Sequence, residues 1–232
     1  MRLSLVIPCF NEAANLPVLL QRCAQLALPG QIEVILVDNG STDSSREVMA
    51  RLVPLHSEFR IVRVEQNQGY GNGILQGLRA ARGEILGWTH ADMQTDPIDA
   101  HRGLALFDRH GVDIFVKGRR YGRSLADVFF TVSMSAFESL LLGCRMWDIN
   151  AQPTLFSRTF FDSWNNPPND FSLDLYAYYK AKQAHLAVRR FPVHFAQRAH
   201  GVSHWNVDWA AKRKFIRRTV GFSLQLRKSV KS

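Results

Sequence analysis

The stretch "ILGWTHADMQTDP", Ile85 to Pro97, decides how the rest of the chain is read. A short apolar run, Ile85 to Trp88, opens into Thr89, His90, Asp92, Gln94 and Asp96, and Pro97 then permits a helix to begin. Four apolar residues bounded by polar turn formers suit a buried strand, and proline is favoured at the first position of a helix. The stretch is therefore a strand, a polar loop and a helix start, with its chemistry-bearing residues at the strand's carboxyl end.

The same alternation recurs on both sides. Apolar, β-branched runs "LSLVIPCF", "IEVILVDN", "IVRVEQ" and "VDIFVKG" alternate with helical patterns such as "EAANLPVLLQRCAQLAL", "NGILQGLRAARG" and "PIDAHRGLALFDRHG". This predicts an α/β fold, a mainly parallel sheet flanked by helices, from residue 1 to about 118. Open sheets of this kind bind ligands at the carboxyl ends of their strands. Asn11 and Glu12, Asp38 and Asn39, Gln68 and Gly69, and His90 to Gln94 all fall at such ends. Four polar clusters are thus expected on one edge.

Composition sets outer bounds. The chain has 232 residues, 46% of them hydrophobic, enough for one large domain and too apolar for disorder. Cys9, Cys23 and Cys144 are odd in number and form no C-x-x-C pair, so neither a disulfide framework nor a zinc knuckle is indicated, and a cytoplasmic setting fits. The N-terminal apolar run is too short for a signal peptide and reads as a first strand. A net charge of +9 favours an anionic partner. Nucleic acid is not expected, because no recognition helix, aromatic RNP-like strand or zinc spacing appears.

"SLADVFFTVSMSAFESLLLG", Ser124 to Gly143, is apolar enough to raise a membrane span, yet it carries Asp127 and Glu138. Ser124, Asp127, Thr131, Ser135 and Glu138 fall on one helical stripe, which predicts an amphipathic helix, either packed on the domain with one polar face or interfacial. From Arg198 onward, Lys212, Arg213, Lys214, Arg217, Arg218, Arg227, Lys228 and Lys231 oppose one acid, Asp208. Within that tail Ile216, Val220 and Leu224 recur at i, i+4 and i+8, the pattern of a basic amphipathic helix at an anionic membrane surface or docked on the domain.

In an extended chain His90, Asp92 and Gln94 point the same way, an oxygen-rich, partly imidazole set able to hold Mn²⁺ or Mg²⁺ beside a diphosphate. The alternative is a polar turn capping the next helix, with Asp96 as N-cap, and both can hold together. Asp38 in "VDNGSTDSS" can accept from a nucleobase or ribose, while Ser41 and Asp43 suit a turn and helix cap. "QNQGYGNG" resembles a dinucleotide loop but fails its spacing, since the third glycine would fall at Ile74 or Gln76. Its glycines are expected to let backbone approach a ligand or to pack a helix closely.

Taken in order, "VIPCFNEAANL", "ILVDNGSTDSS", "NQGYGNGILQGLRAARGEILGWTHADMQTDP", "KGRRYGR", "WDINAQPTLFSR" and "RFPVHFAQRAHGVSHWN" resemble family 2 glycosyltransferases. The nearest branch is that of dolichyl-phosphate mannosyltransferase and polyprenyl-phosphate glycosyltransferases. The resemblance implies a GT-A nucleotide-diphosphate-sugar fold over residues 1–205, followed by a basic amphipathic helical extension, 206–232. It implies an inverting hexosyltransferase using a GDP- or UDP-sugar, a divalent metal and a polyprenyl phosphate acceptor, peripheral at the cytoplasmic membrane face. Pro8, Phe10, Glu12, Asp38 and Gly69 would belong to the nucleotide-sugar pocket. His90, Asp92 and Gln94 match the Asp-Ala-Asp-x-Gln metal motif, with His90 in place of its first carboxylate. Arg120 would contact acceptor phosphate, although the arginine common inside the following helix is missing from "FFTVSMS". Arg198, Gly201 and Ser203 match the acceptor loop, with His204 replacing its lysine. Two alternatives remain: transfer to a sugar or protein hydroxyl, for which Asp170 or Asp174 would be the base, and a nucleotide-sugar-binding protein without activity, which His90 raises.

Overall fold

The computed structural model describes residues 1–198, 217 and 219–227. The strands are β1 (Leu3–Cys9), β2 (Ile32–Asn39), β3 (Phe59–Val64), β4 (Ile85–Trp88), β5 (Ile114–Tyr121), β6 (Thr154–Ser157) and β7 (Ala187–His194). They form one sheet in the order β3-β2-β1-β4-β6-β5-β7. Only β6 runs against its neighbours; the pairs β1 with β2, β1 with β4, β2 with β3 and β5 with β7 are all parallel. The predicted parallel α/β sheet is the observed one, and β6 and β7 extend it beyond the alternating region.

The helices are α1 (Leu16–Leu26), α2 (Ser45–Leu52), α3 (Tyr70–Ala80), α4 (Asp99–His110), α5 (Leu125–Leu142), α6 (Arg158–Asp162) and α7 (Leu173–Gln183). Side chains alternate across a strand, so β1 sends Leu3, Leu5 and Ile7 to one face and Val6 to the other. The first face meets Leu16, Leu19 and Cys23 of α1, Met49 of α2 and Phe107 of α4. The second meets Ile74 and Leu78 of α3 and Tyr178 of α7. Every residue of β2 is buried, as a strand covered by helices on both faces must be. Each fully buried Leu, Ile or Val contributes roughly 1.5–3 kcal/mol, so the sheet's central strands hold the domain and leave its carboxyl edge free for loops.

Two helical expectations are corrected. Helix α4 starts at Asp99 rather than Pro97, because three i to i+3 bonds, from Asp99, Ala100 and His101 N–H, make a tight turn first. Asp96 serves that turn by accepting from Ile98 N–H at 3.0 Å and also pairs with Arg22. In α5 the polar stripe faces inward: Ser135 and Glu138 are buried, while Leu125, Phe129 and Leu140 lie outside. Leu142 at the end of the helix joins the second core cluster, and polar contacts fasten its middle, among them Asp148 N–H to Ser135 Oγ at 3.1 Å and Met146 N–H to Ser139 Oγ at 2.9 Å.

Residues 219–227 are helical. Leu226 is buried and Phe222 packs on the second core cluster, whereas Leu224, part of the expected apolar stripe, is exposed. Ile216 and the proposed boundary at 205/206 lie outside the described residues.

Candidate active site

The loops at the carboxyl ends of β1, β2 and β4 close around a cavity of about 690 Å³. From β1 come Pro8, Phe10 and Glu12, from β2 Asn39, from the start of α3 Gly69 and Tyr70, and from the loop after β4 His90, Asp92 and Gln94. Arg120, Arg123, Asp174 and Arg198 also line it. Of these lining residues, all but Tyr70 and Arg123 were legible in sequence, Asn39 as part of the polar cluster at the end of β2. Asp38 does not line the cavity: it is fully buried behind it, its carboxylate accepting from Ser41 N–H at 3.0 Å and from Arg46 Nε at 3.1 Å. Ser203 and His204 lie outside the described residues.

The loop after β4 does not continue as a strand. Extended geometry stops at Trp88, Met93 takes a left-handed φ of 59°, and Asp92 Oδ1 accepts from Gln94 N–H at 3.1 Å. The hydroxyls of Thr89 and Thr95 meet at 3.3 Å and close the loop at its base. His90, Asp92 and Gln94 still reach one cavity, but by a turn rather than by strand alternation. Left-handed backbone at a non-glycine residue costs on the order of 1 kcal/mol, and such strain clusters at functional sites. Asn11 is a second case, with φ 57°, and its Oδ1 accepts from Thr42 N–H at 2.8 Å, tying the β1 loop to the β2 loop.

Gly69 and Gly71 explain the glycine-rich start of α3. A Cβ on Gly69 would stand 2.4 Å from the Asn169 carbonyl oxygen, and one on Gly71 2.6 Å from that of Asp170. Gly69 also has φ 112°, which side chains avoid. Close packing of α3 on the 168–170 loop is their role. It fixes Gly69 so that its carbonyl accepts from Asn39 Nδ2 at 3.0 Å, which leaves Asn39 Oδ1 buried with no hydrogen-bond partner. A ligand donor such as a nucleobase N–H would satisfy that oxygen.

Charges in the cavity are grouped. At one wall Arg198 donates to Asp92 Oδ2 at 2.9 Å. Two hydrogen bonds set this contact, Ala196 N–H to Gln94 O at 2.8 Å and Gln94 Nε2 to Ala196 O at 3.4 Å, which lay the chain leaving β7 over the β4 loop. Glu12 stands beside this pair, and burial first, then the nearby Asp92, push its carboxyl above the ordinary range. Also lining the cavity, Arg120 and Arg123 share one buried carboxylate, Asp148, with Arg120 Nε at 2.9 Å and Arg123 at 3.9 Å. Burial would raise Asp148, but Arg120 overcomes it and holds the carboxyl below its ordinary range. Asp127 of α5 lines the cavity beside them as a second carboxylate. Arg123 also donates to Thr131 Oγ1 on α5 at 2.8 Å, a cation that reading the interior of α5 for arginine did not find.

Beneath the cavity Asp174 accepts from Gln152 Nε2 at 2.7 Å, with the fully buried Lys117 Nζ at 3.8 Å. Lys117 also donates to Thr154 Oγ1 at 2.7 Å, and burial draws its pKa down to about 8 despite Asp174. Tyr70 stacks between Phe171, 4.6 Å away, and His90, 5.4 Å away, which fixes the imidazole plane.

Residues 4–173 match the family described as Glycosyl transferase family 2. The chain belongs to glycosyl transferase family 2. Among relatives of this glycosyltransferase domain, the dodecaprenyl-phosphate galacturonate synthase of Rhizobium johnstonii is 32% identical over 52% of this chain and 36% of its own length. The undecaprenyl-phosphate 4-deoxy-4-formamido-L-arabinose transferase of Salmonella enteritidis is 28% identical over 88% of this chain and 63% of its own. The chain thus spans about a third to two thirds of the length of these relatives. The fold is shared with glucosyl-3-phosphoglycerate synthase of Mycobacterium tuberculosis, solved with Mn²⁺, UDP and glucosyl-3-phosphoglycerate, at a TM-score of 0.73 and 20% identity over 97% of this chain and 79% of that one.

Proposed function

We propose that this domain transfers a hexose from a nucleotide diphosphate sugar to a polyprenyl phosphate, with inversion at the anomeric carbon. The observation that carries the reading is that two sets of guanidinium groups with buried acidic partners line one cavity: Arg198 on Asp92, and Arg120 with Arg123 on Asp148. A donor and an anionic acceptor both need neutralised charge, and they need it on opposite sides of the reacting carbon. The relatives' names, which join sugars to dodecaprenyl or undecaprenyl phosphate, support the acceptor class.

A phosphate oxygen of the acceptor forms the bond to the anomeric carbon while the bond from that carbon to the diphosphate oxygen breaks, and the electron pair leaves with the nucleoside diphosphate. The acceptor is already ionised at pH 7, so no proton is removed. Arg120 and Arg123 orient the attacking phosphate, and Arg198 neutralises charge on the leaving diphosphate. Pro8, Phe10, Glu12, Asn39 and Gly69 surround the nucleoside, with Asp38 bracing the β2 loop behind them.

No group of three His, Cys, Asp or Glu that could hold a metal occurs among the described residues. The donor set of one carboxylate, Asp92, with His90 and Gln94 beside it, fits an ion that arrives with the substrate, since Mg²⁺ and Mn²⁺ commonly take one or two carboxylates and complete their shell from phosphate oxygens. When bound, such an ion supplies positive charge to the diphosphate. Mn²⁺ in the structural neighbour supports this class of cofactor. Cytoplasmic location at the membrane face, with the basic tail against anionic lipid, follows from a lipid-linked acceptor and a soluble donor.

A hydroxyl acceptor would require a base, and Asp174 lines the cavity. It accepts from Gln152 Nε2 and faces Lys117 Nζ, and its other lone pairs suit either a base or a hydrogen-bond acceptor for the sugar. The test is transfer from a panel of GDP- and UDP-sugars to undecaprenyl phosphate with Mn²⁺ or Mg²⁺, read as a radiolabelled glycolipid. Product with a lipid phosphate and none with sugar or peptide hydroxyls is the expected result. Product with hydroxyl acceptors alone would transfer the assignment to Asp174.

A further inference from the structure

The glycines of "QNQGYGNG" flank one aromatic residue, Tyr70, and the donor side of the cavity is built around it. Gly69 and Gly71 both press on the 168–170 loop, and Asn72 N–H donates to the Asn169 carbonyl at 2.8 Å. The backbone on either side of Tyr70 is thereby held against the loop that leads to Phe171. The Tyr70 ring lies nearly parallel to that of Phe171, at 10°, and within 25° of the His90 imidazole. All three rings line the cavity. At its far end the ring carries a buried hydroxyl beside Asp174 and the Trp88 indole, so Tyr70 is seated at both ends. One side chain thus touches the start of α3, the loop after β4 and the start of α7.

We propose that Tyr70 is a positioning residue for donor binding: its ring holds the His90 imidazole in the plane from which it meets the bound nucleoside diphosphate. An imidazole carries its N–H and its bare nitrogen in the plane of the ring, so whatever fixes the plane fixes where both point. A carboxylate at this position would need less support, because its two oxygens accept from several directions. The half-buried His90 has a broad terminal torsion of its own, as every ring on a methylene has. Stacking on Tyr70 removes that freedom before the ligand arrives, so little ordering is left to be lost on binding. Phe171, 4.6 Å away on the other side, keeps Tyr70 from turning out of the stack. The exchange of a carboxylate for His90 and the presence of an aromatic residue between two glycines are then one feature of this chain. The inference rests on the donor half of the proposed function and is independent of the acceptor.

The experiment uses the full chain. Calorimetry measures binding of UDP and of GDP in Mg²⁺, and NMR of histidine-labelled protein without ligand reads the His90 ring protons, assigned with H90A. Y70L removes the stack and should weaken the nucleotide that binds by about tenfold, the upper range for one aromatic contact, while Y70F should restore it to within about twofold. In the H90A background Y70L should add less than about a further twofold, because a residue acting through His90 then has nothing to position. The His90 ring protons should lie upfield in wild type and Y70F, over the Tyr70 face, and return toward free histidine in Y70L. Additive losses in the double variant, His90 shifts in wild type equal to those of free histidine, or an H90A that binds nucleotide as wild type does would overturn the proposal. The last two results do so even where Y70L fails to fold. Coupling of Tyr70 to His90 with no transfer to polyprenyl phosphate would support this inference and refute the acceptor reading alone, whereas a wild type that binds neither nucleotide would end the donor reading and this inference together.

Discussion

Replacing Lys117 by Met should change how stability depends on pH in a window where few other changes are expected. Lys117 is fully buried, with Asp174 at 3.8 Å as its counter-charge, and burial lowers its pKa from 10.5 to about 8. Two and a half pH units at 1.36 kcal/mol each make the protonated ammonium a burden of about 3 kcal/mol at neutral pH. The sign follows from proton counts. Between pH 8 and 10.5 the unfolded chain keeps this proton and the folded chain has lost it, so the unfolded state binds more protons and stability rises with pH. Below pH 8 both states are protonated and the full burden stays; above 10.5 it is gone. Asp174 is the counter-charge that opposes burial, so D174N should lower the Lys117 pKa further. The assay is urea unfolding of wild type and K117M from pH 7 to 10.5. Tyrosines titrating in the same window cancel in the difference. Wild type should gain about 3 kcal/mol relative to K117M across it. Parallel curves would show that Lys117 titrates normally and that the Lys117–Asp174 contact does not set the charge beneath the cavity.

Asp92→Asn should reduce turnover by at least two orders of magnitude at saturating donor with the fold intact, which thermal unfolding and steady-state kinetics together would check. His90→Asp should strengthen activation by Mg²⁺ relative to Mn²⁺, because a second carboxylate favours the harder ion, and metal titration of the transfer rate reads it. Asp148→Asn leaves Arg120 and Arg123 without their shared carboxylate; a loss of roughly 3–5 kcal/mol of stability and a raised acceptor KM are expected, with nucleotide binding by calorimetry unchanged. In Glu33, hydrogen bonds from Ser4, Arg82 N–H and Arg60 outweigh burial and lower the pKa, so its contribution is complete above the ordinary carboxylate range and disappears as pH falls through the folded value. E33Q should therefore flatten the acid limb of the stability curve.

The parallel half of the fold was legible because it is local. A strand such as "IEVILVDN" is covered on both faces, so nearly every residue must be apolar or paired, and β-branched runs announce it. By contrast β6 has four residues, and β7 alternates exposed and buried positions through "AVRRFPVH", with a proline and two arginines that read as loop. What places β7 is its eight-residue parallel register with β5, a long-range pairing that no local period reveals. The reversed polarity of α5 was hidden for a related reason. Periodicity separates two faces of a helix but does not say which one the domain receives, and here Asp148 and Met146 supply polar partners that only the folded chain brings near.

The site divides along the same line. Pro8, Glu12, Asn39, Gly69, His90, Asp92 and Gln94, read from strand ends, gather in the cavity because topology collects carboxyl ends on one edge, while Asp38 is buried behind it. The charges that tune those residues come from elsewhere in the chain: Asp148 lies 28 positions from Arg120, Lys117 lies 57 before Asp174, and Arg198 lies 106 after Asp92. Each of these is a pairing of opposite charges in which the acid is buried, and a buried acid is stable only when such a partner is near. In the sequence these acids look like ordinary polar loop and helix residues, since burial is a property of the packed chain. His90 follows the same logic in reverse. With Arg198 already on Asp92 and Glu12 held toward its neutral form, an imidazole in place of a carboxylate keeps this wall from carrying more negative charge than one guanidinium balances until a donor arrives with its own charge and counter-ion.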